Sequence, residues 1–132
     1  MPHIIVEYSQ NLEPVMDLDG LLGTLHRAAL DTGVFPLSGL RTRAEPRDRY
    51  LIADGNPDHG FVHVTARIGH GRSEAVRGEV SAHLFETLCR HLKPVADARG
   101  LAISLDLQES DPATSHKLIN VAQWLDDRRT RV

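Results

Sequence analysis

The sequence predicts an α+β fold in which two β-α-β units share a four-stranded sheet with two helices on one face. Four stretches have the composition or alternation of strands, and two stretches space their apolar residues as amphipathic helices do. Each helical stretch lies between two strand stretches, which gives units at about 2–45 and 61–108. The strands of such a unit run parallel with a right-handed crossover. A chain of 132 residues is the size of one domain, so residues 1–132 are expected to share one core.

The first unit begins with an apolar, β-branched run over residues 1–9 that is typical of a strand. Asp17 is a candidate N-cap for a helix over about 18–31, and Gly33 is a plausible end for it. The apolar face of this helix consists of Leu18, Leu21, Leu22, Leu25 and Ala29. Residues 40–45 then alternate small or apolar side chains with charged ones, which predicts a half-buried strand with one charged face.

The connection to the second unit is predicted to contain a short strand and a turn. Residues 47–52 are expected to form an edge or hairpin strand. Residues 53–58 are dense in Asp, Asn, Gly and Pro, which is typical of a turn between the two halves of a chain.

The second unit repeats the same order of elements. Residues 61–68 alternate cleanly, and Ser73 follows a glycine-containing turn as a candidate N-cap. The apolar stripe of the next helix consists of Val76, Val80, Leu84, Leu88 and Leu92. Pro94 is expected to kink or shorten this helix. Residues 101–108 then alternate as the clearest strand in the chain.

Residues 109–132 form a C-terminal extension beyond the two units. The spacing of its apolar residues predicts a short helix containing Leu118, Val121, Ala122 and Leu125. The single tryptophan, Trp124, is expected to anchor packing, and residues 128–132 are expected to form a solvated tail.

Composition and charge favour a soluble, cytoplasmic protein. The 15 basic and 18 acidic residues give a formal net charge of −3, which does not predict a nucleic-acid partner. The only cysteine, Cys89, has no second cysteine to pair with, so a reducing interior is expected. No apolar run approaches the length of a membrane span, so no membrane partner is expected.

The amino terminus is the first candidate site for chemistry. Removal of the initiator methionine is expected before a residue as small as proline, and it leaves Pro2 as a secondary amine at the end of a strand. An α-amine titrates nearer neutrality than a lysine amine, and burial or nearby cations lower its pKa further. Pro2 can therefore serve as a general base near neutral pH. Proline is also tolerated at the start of a strand without any catalytic role.

Two arginines are the next candidates. Arg41 lies on the charged strand face beside Arg43, and Arg72 lies at a strand-to-helix turn, where backbone N–H groups favour an anion. Guanidinium groups bind carboxylates bidentately, which would suit an acidic substrate. An exposed strand face and a solvated turn explain the same residues without a ligand. The eight histidines include no cluster with metal-ligand spacing, so no metal site is expected.

Five blocks of the sequence, taken together and in order, resemble one enzyme family. The blocks are Pro2–Glu7, Thr32–Arg41, Ala53–Gly55, Phe61–Val64 and Ile68–Ser73. They resemble the 5-carboxymethyl-2-hydroxymuconate Δ-isomerases of the tautomerase superfamily, to which 4-oxalocrotonate tautomerase and macrophage migration inhibitory factor also belong. The resemblance covers nearly the whole chain, and it is loose over the last twenty residues.

The resemblance implies a tautomerase-like fold, a homotrimer and a cofactor-independent isomerase. It implies that Pro2 is the catalytic base and that Arg41 and Arg72 are catalytic residues that hold substrate carboxylates, with His3 and Arg43 completing the substrate-binding set. The implied substrate is 5-carboxymethyl-2-hydroxymuconate or a similar unsaturated 2-hydroxy dicarboxylate. The implied product is the conjugated 2-oxo isomer, formed in 4-hydroxyphenylacetate (homoprotocatechuate) catabolism. Neither a cofactor nor a metal is implied.

Two alternatives stay open at the level of sequence. One is another proline-based reaction, such as hydration or dehalogenation of an unsaturated acid. The other is a non-catalytic trimer that binds a ligand or partner, and a blocked amino terminus would favour it.

Overall fold

The computed structural model describes residues 1–125, which form one four-stranded sheet, two long helices and a C-terminal extension. In chain order the main elements are β1 (His3–Ser9), α1 (Leu18–Asp31), β2 (Arg41–Arg47), β3 (Gly60–Ile68), α2 (Glu74–Ala98) and β4 (Leu101–Glu109). Two short 3-10 turns, Gln10–Leu12 and Leu37–Gly39, lie between β1 and α1 and between α1 and β2. None of the described helices is both long and apolar enough to cross a membrane.

The strands lie side by side in the order β2-β1-β3-β4. The strands of each unit are parallel, β1 with β2 and β3 with β4, while the two central strands β1 and β3 are antiparallel. The predicted α+β fold with two β-α-β units is therefore confirmed. Because the central strands are antiparallel, a pseudo-twofold axis between them relates the units, and β1 and β3 begin at opposite ends of the sheet.

One face of the sheet is buried beneath the two helices. Successive side chains of a strand point to opposite faces, so alternate residues of β1 and β3 enter the core. The buried strand residues are Ile4, Val6, Tyr8, Val62, Val64, Ala66 and Ile68, and the buried leucines of the helices are Leu21, Leu25, Leu84, Leu88 and Leu92. The helix faces predicted from spacing are confirmed, with Leu18, Leu22 and Val76 half-buried at their margins.

The opposite face of the sheet, here called the open face, is mostly polar. Its side chains on β1, β2 and β3 are His3, Ile5, Glu7, Arg41, Arg43, Glu45, Arg47, Phe61, His63, Thr65 and Arg67. At one end of this face Arg47 forms ion pairs with Glu7 at 2.6 Å and Glu45 at 3.0 Å. At the other end, where β1 begins, arginines and His3 face each other without a carboxylate between them.

The N-cap residues of both helices are the ones predicted from the sequence. The side chain of Asp17 accepts a hydrogen bond from the Gly20 N–H at 3.0 Å, and Ser73 Oγ accepts one from the Val76 N–H at 3.2 Å. Each cap satisfies an N–H group that has no partner within the helix, which typically contributes about 1 kcal/mol. Gly33 follows α1 with a φ of +71°, a conformation that glycine adopts without strain.

The expected strand at 47–52 and the expected shortening of α2 at Pro94 are wrong. β2 ends at Arg47, and residues 48–52 form no strand. They follow an edge strand of the sheet and have no neighbouring strand with which to pair. Tyr50 instead packs edge-on against Phe61, with ring centroids 6.2 Å apart. Pro94 does not shorten α2, which continues to Ala98. Only about one helical turn follows the proline, so the loss of a single backbone hydrogen bond there is tolerated.

The C-terminal extension contains a helical segment at 121–125. Leu118 lies before this segment and is almost fully exposed. More than half of the surface of Trp124 is exposed, so the expectation that Trp124 anchors packing is wrong for a single protomer. The tail predicted at 128–132 lies outside the described residues.

Gly60→Ala is expected to destabilise the fold, because a methyl group at the start of β3 would meet Leu12. A Cβ atom at Gly60 would lie 2.5 Å from Leu12 Cδ2 and 2.9 Å from Cγ, and Leu12 is fully buried. Overpacking of this kind lowers the free energy of unfolding by about 1–3 kcal/mol. The matched control is Gly78→Ala in α2, where a Cβ has no neighbour within 4 Å.

The control substitution is expected to raise the free energy of unfolding by about 0.5–1 kcal/mol, since alanine favours a helix more than glycine does. Urea unfolding at one protein concentration measures both variants. Equal stability changes in the two variants would contradict the close packing of Gly60 against Leu12.

Candidate active site

The amino terminus lies in a cleft at the end of the sheet where β1 begins. The cleft has a volume of about 360 Å³, which is in the range of small-molecule sites. Met1 lines it together with residues 37–41, which lead into β2, and residues 118–121 of the C-terminal extension. The α-amine of the chain and a cavity for a small ligand are therefore adjacent.

Pro2 is buried and held by the first hydrogen bond between β1 and β2. Its carbonyl oxygen accepts a hydrogen bond from the Arg41 N–H at 3.2 Å. A Cβ atom at Gly39 would lie 3.8 Å from Pro2 Cδ, so the chain before β2 packs directly against the proline ring. While Met1 is attached, the nitrogen of Pro2 is an amide and has no basic lone pair. Removal of Met1 would expose a secondary amine at this fixed position.

The environment of the amino terminus favours a neutral amine. Burial lowers the pKa of the Met1 amine below its ordinary value, and the positive charges of Lys117, Arg41 and Arg72 lower it further. A Cβ atom at Gly69 would lie 3.6 Å from the Met1 nitrogen and 3.8 Å from Arg72 Nη1, so both groups approach the same glycine. Burial and the nearby cations therefore favour the neutral form of an α-amine at this end of the sheet.

His3 lies between two guanidinium groups on the open face. Its Nε2 is 2.6 Å from Nη2 of Arg41, and its Nδ1 is 3.1 Å from Nη1 of Arg43. A neutral imidazole has one acceptor nitrogen, so only one of the two contacts is a hydrogen bond at a time. Burial lowers the pKa of His3, and the charges of Arg41, Arg43, the amino terminus and Arg67 lower it further. His3 is therefore neutral at pH 7 and holds Arg41 in place without neutralising it.

Arg72 is held by backbone carbonyls of two segments that are distant in sequence. Its Nη1 donates to the Gly69 carbonyl and its Nη2 to the Val34 carbonyl, each at 3.1 Å. The guanidinium carbon also lies 5.2 Å from the centre of the Phe35 ring, within the range of a cation–π contact. These contacts use two of the five N–H donors, so Arg72 ties two segments together and keeps donors for a ligand.

The sequence-predicted site residues converge at one end of the molecule. Pro2 directly precedes β1, and His3 is its first residue. Arg41 and Arg43 contact His3 from β2. Arg72 lies in the turn after β3, where its guanidinium and the Met1 nitrogen both lie near Gly69. Among residues 1–125, no carboxylate forms an ion pair with these three arginines. A cluster of cations without acidic partners is suited to an anionic ligand.

Sequence reasoning missed one member of this cluster, Lys117 of the C-terminal extension. Its charge lowers the pKa of the Met1 amine more than the charges of Arg41 and Arg72 do. The sequence offered one signal, because Lys117 is one of only two lysines in the chain and lies beside the apolar residues of the extension. Within the described part of the chain, no three His, Cys, Asp or Glu side chains lie close enough together to hold a metal ion.

Comparison with known proteins gives consistent matches. The sequence model of a family described as 5-carboxymethyl-2-hydroxymuconate isomerase matches residues 2–125. The chain is similar to the 5-carboxymethyl-2-hydroxymuconate Delta-isomerase of Escherichia coli, with 39% identity over 121 residues that cover 92% of this chain and 96% of that protein.

Solved structures with the same fold extend the comparison. A 5-carboxymethyl-2-hydroxymuconate isomerase from Deinococcus radiodurans R1 has a TM-score of 0.87 and 35% identity, with 93% of each chain covered. A 5-carboxymethyl-2-hydroxymuconate delta-isomerase has a TM-score of 0.88 and 28% identity, covering 95% of this chain and 93% of that one. A fused 4-OT described as a symmetric trimer has a TM-score of 0.63 and 17% identity, covering 88% and 90%, and this likeness shows the fold alone.

Arg43→Gln is expected to raise the pKa of His3 toward its ordinary value, because it removes one of the cations that disfavour the imidazolium. Titration of the imidazole C–H resonances by NMR measures the change. The matched control is Arg90→Gln on α2, which removes the same charge from an exposed pair with Glu86. An unchanged His3 pKa in Arg43→Gln, or an equal rise in Arg90→Gln, would contradict the described contacts.

Proposed function

The chain belongs to the 5-carboxymethyl-2-hydroxymuconate isomerase family, and we propose that it converts 5-carboxymethyl-2-hydroxymuconate to the conjugated 2-oxo isomer. The observation that carries this proposal is the amino terminus itself. Burial and nearby cations lower the pKa of the Met1 amine beside the cleft, the arginines near it have no carboxylate partner among the described residues, and Pro2 is the next residue. The reaction would serve the catabolism of aromatic compounds such as 4-hydroxyphenylacetate. The alternatives of dehalogenation, hydration or binding without catalysis are not favoured, because the matching family is described as an isomerase and the similar Escherichia coli protein is a Delta-isomerase.

In this proposal Pro2 is the base once Met1 has been removed. The neutral secondary amine takes the proton of the enol hydroxyl, and the resulting ammonium returns a proton to the carbon at the far end of the diene. The electron pair of the O–H bond becomes the π bond of the new ketone at C2, and the π pair between C2 and C3 moves to lie between C3 and C4. The π pair between C4 and C5 forms the new C–H bond at C5, which leaves one double bond conjugated with the ketone. The hydrogen bond from Arg41 N–H to the Pro2 carbonyl supports this role, because it fixes the direction in which the ring nitrogen points.

Arg41 and Arg72 would hold carboxylates of the substrate on either side of the amine. Guanidinium groups bind carboxylates bidentately, and both arginines have donors that no contact among the described residues uses. Their charges would also stabilise the dienolate as negative charge develops along the conjugated system. His3 and Arg43 would keep Arg41 oriented from the open face and complete the substrate-binding set, as their 2.6 Å and 3.1 Å contacts support.

A homotrimer is part of the same proposal. It is supported by the shared fold with a fused 4-OT described as a symmetric trimer. It is also supported by the surface of the protomer, in which Leu118, Val121 and Trp124 of the extension are exposed. Apolar side chains exposed in one segment are typical of a surface that another subunit covers.

The role of Pro2 is tested by three forms of the protein. These are the processed protein, processed Pro2→Ala, and the Met1-retained protein made with methionine aminopeptidase inhibited. The rate of ultraviolet loss of the dienol is expected to fall in that order. General-base catalysis typically contributes about 10²–10⁴-fold, so the Met1-retained form should lose roughly that factor. Pro2→Ala keeps a free amine without the ring that directs it, and should retain a small part of the activity.

Intact mass verifies the state of Met1, and sedimentation verifies that all three forms have the same assembly state. Equal rates for the processed and Met1-retained proteins would overturn the role of Pro2. A monomer at micromolar concentration in every form would overturn the proposed trimer and leave the rates to be compared on their own.

The two arginines are expected to respond differently to truncation. Arg41→Ala should lower kcat/KM about ten- to a hundredfold, the usual effect of losing a charge-assisted hydrogen bond, with little change in thermal stability. Arg72→Ala should lower kcat/KM by a similar factor and also lower the Tm, because Arg72 ties Val34 to Gly69. Arg90→Ala is the control for a lost surface charge. Normal turnover by both variants would refute carboxylate binding by these residues.

A further inference from the structure

The C-terminal extension forms one wall of the cleft and is anchored beside it. Ser110 follows β4, and its N–H and Oγ both donate to the Ile68 carbonyl, at 2.8 Å and 3.3 Å. Ile68 is the last residue of β3, directly before the turn that carries Arg72. Asp111 then turns the chain by accepting a hydrogen bond from the Ala113 N–H at 2.9 Å. The extension therefore leaves the sheet next to Arg72 and returns to line the cleft at 118–121.

Lys117 immediately precedes the four residues that form this wall. The opposite walls are Met1 and residues 37–41, which end at Arg41. The side chain of Lys117 is exposed, and none of the carboxylates in residues 1–125 forms an ion pair with it. Its charge nonetheless reaches the amino terminus, where it lowers the pKa of the amine. A third cation, supplied from outside the two β-α-β units, therefore acts on the amino terminus together with Arg41 and Arg72.

The proposed substrate has three carboxylates. A muconate has a carboxylate at each end of its diene, and the carboxymethyl branch of 5-carboxymethyl-2-hydroxymuconate adds another. Arg41 and Arg72 account for two of these three charges. Both arginines lie on the rigid frame around the amine, which suits the ends of a planar conjugated chain. The branch is flexible, and Arg43, the other arginine of the substrate-binding set, contacts His3 on the open face at 3.1 Å.

We propose that Lys117 binds the carboxylate of the carboxymethyl branch and so sets the preference of the enzyme for a three-carboxylate substrate. The inference rests on the proposed function, and the place of Lys117 in the chain carries it, because Lys117 directly precedes residues 118–121, which line the cleft together with Met1 and Arg41. A lysine suits a flexible branch, because its ammonium is a compact charge on a long stem with three rotatable donors. A rigid guanidinium fork is not required for such a contact.

The test compares Lys117→Gln, Lys117→Arg and Lys93→Gln on two substrates. Lys93→Gln is a matched control, because Lys93 is an exposed lysine of α2 that pairs with Asp97 at 3.0 Å. The substrates are 5-carboxymethyl-2-hydroxymuconate and 2-hydroxymuconate, which is the same diene without the branch. Lys117→Gln should lower kcat/KM for the branched substrate roughly tenfold, between the effect of an exposed ion pair and that of a buried charged hydrogen bond.

On 2-hydroxymuconate the loss in Lys117→Gln should be less than about threefold, since both remaining carboxylates keep their arginines. Lys117→Arg should keep most of the activity on the branched substrate, and Lys93→Gln should match the wild type on both substrates. Equal losses on the two substrates, or no loss on either, would overturn the assignment. Melting temperatures equal to that of the wild type exclude a folding defect as the cause of any loss.

Wild-type turnover and the substrate ratio answer different questions. Wild-type protein that does not convert the branched substrate refutes the proposed function. Wild-type protein that converts it, with an unchanged ratio between the two substrates in Lys117→Gln, refutes only the role of Lys117.

Discussion

The parallel pairing of β1 with β2 is the constraint on which the candidate site depends. It begins with the hydrogen bond from the Arg41 N–H to the Pro2 carbonyl and keeps one register from His3 and Arg41 to Ser9 and Arg47. A slip of one residue would turn every side chain of the strand to the other face of the sheet. The burial of Ile4 and Val6 therefore fixes which arginine lies beside the amino terminus. The stability of the core and the position of the chemistry are set by the same few strand residues.

The arginines at the two ends of the open face differ in their partners. At one end Arg47 is neutralised by Glu7 and Glu45, as expected on an ordinary exposed strand pair. At the other end Arg41 and Arg43 face a neutral histidine, and repulsion between the cations has to be offset by packing elsewhere. Local rules of charge pairing are typically violated at functional sites. An anionic ligand bound at that end would supply the missing charge, and its binding would stabilise the folded protein.

Much of this arrangement could be predicted from the sequence, and the remainder depends on long-range contacts. The bounds of α1 are those predicted, because the cap at Asp17, the apolar spacing and the end at Gly33 all agree. The short strand at 47–52 was wrong because a local pattern does not say whether a neighbouring strand exists. The approach of Lys117 was missed because it follows from the hydrogen bonds between Ser110 and Ile68, which lie 42 residues apart.

The pseudo-twofold axis relates two units of the same fold, but only the first unit has a terminal amine before its first strand. His59 precedes β3 as Pro2 precedes β1, but its nitrogen belongs to an interior peptide bond and its N–H donates to the Asn56 carbonyl at 3.1 Å. A chain of two β-α-β units has only one amino terminus, so the number of terminal amines in any assembly equals the number of chains and not the number of units. The second unit therefore keeps the order of elements of the first without a terminal amine, and the two halves share little residue identity.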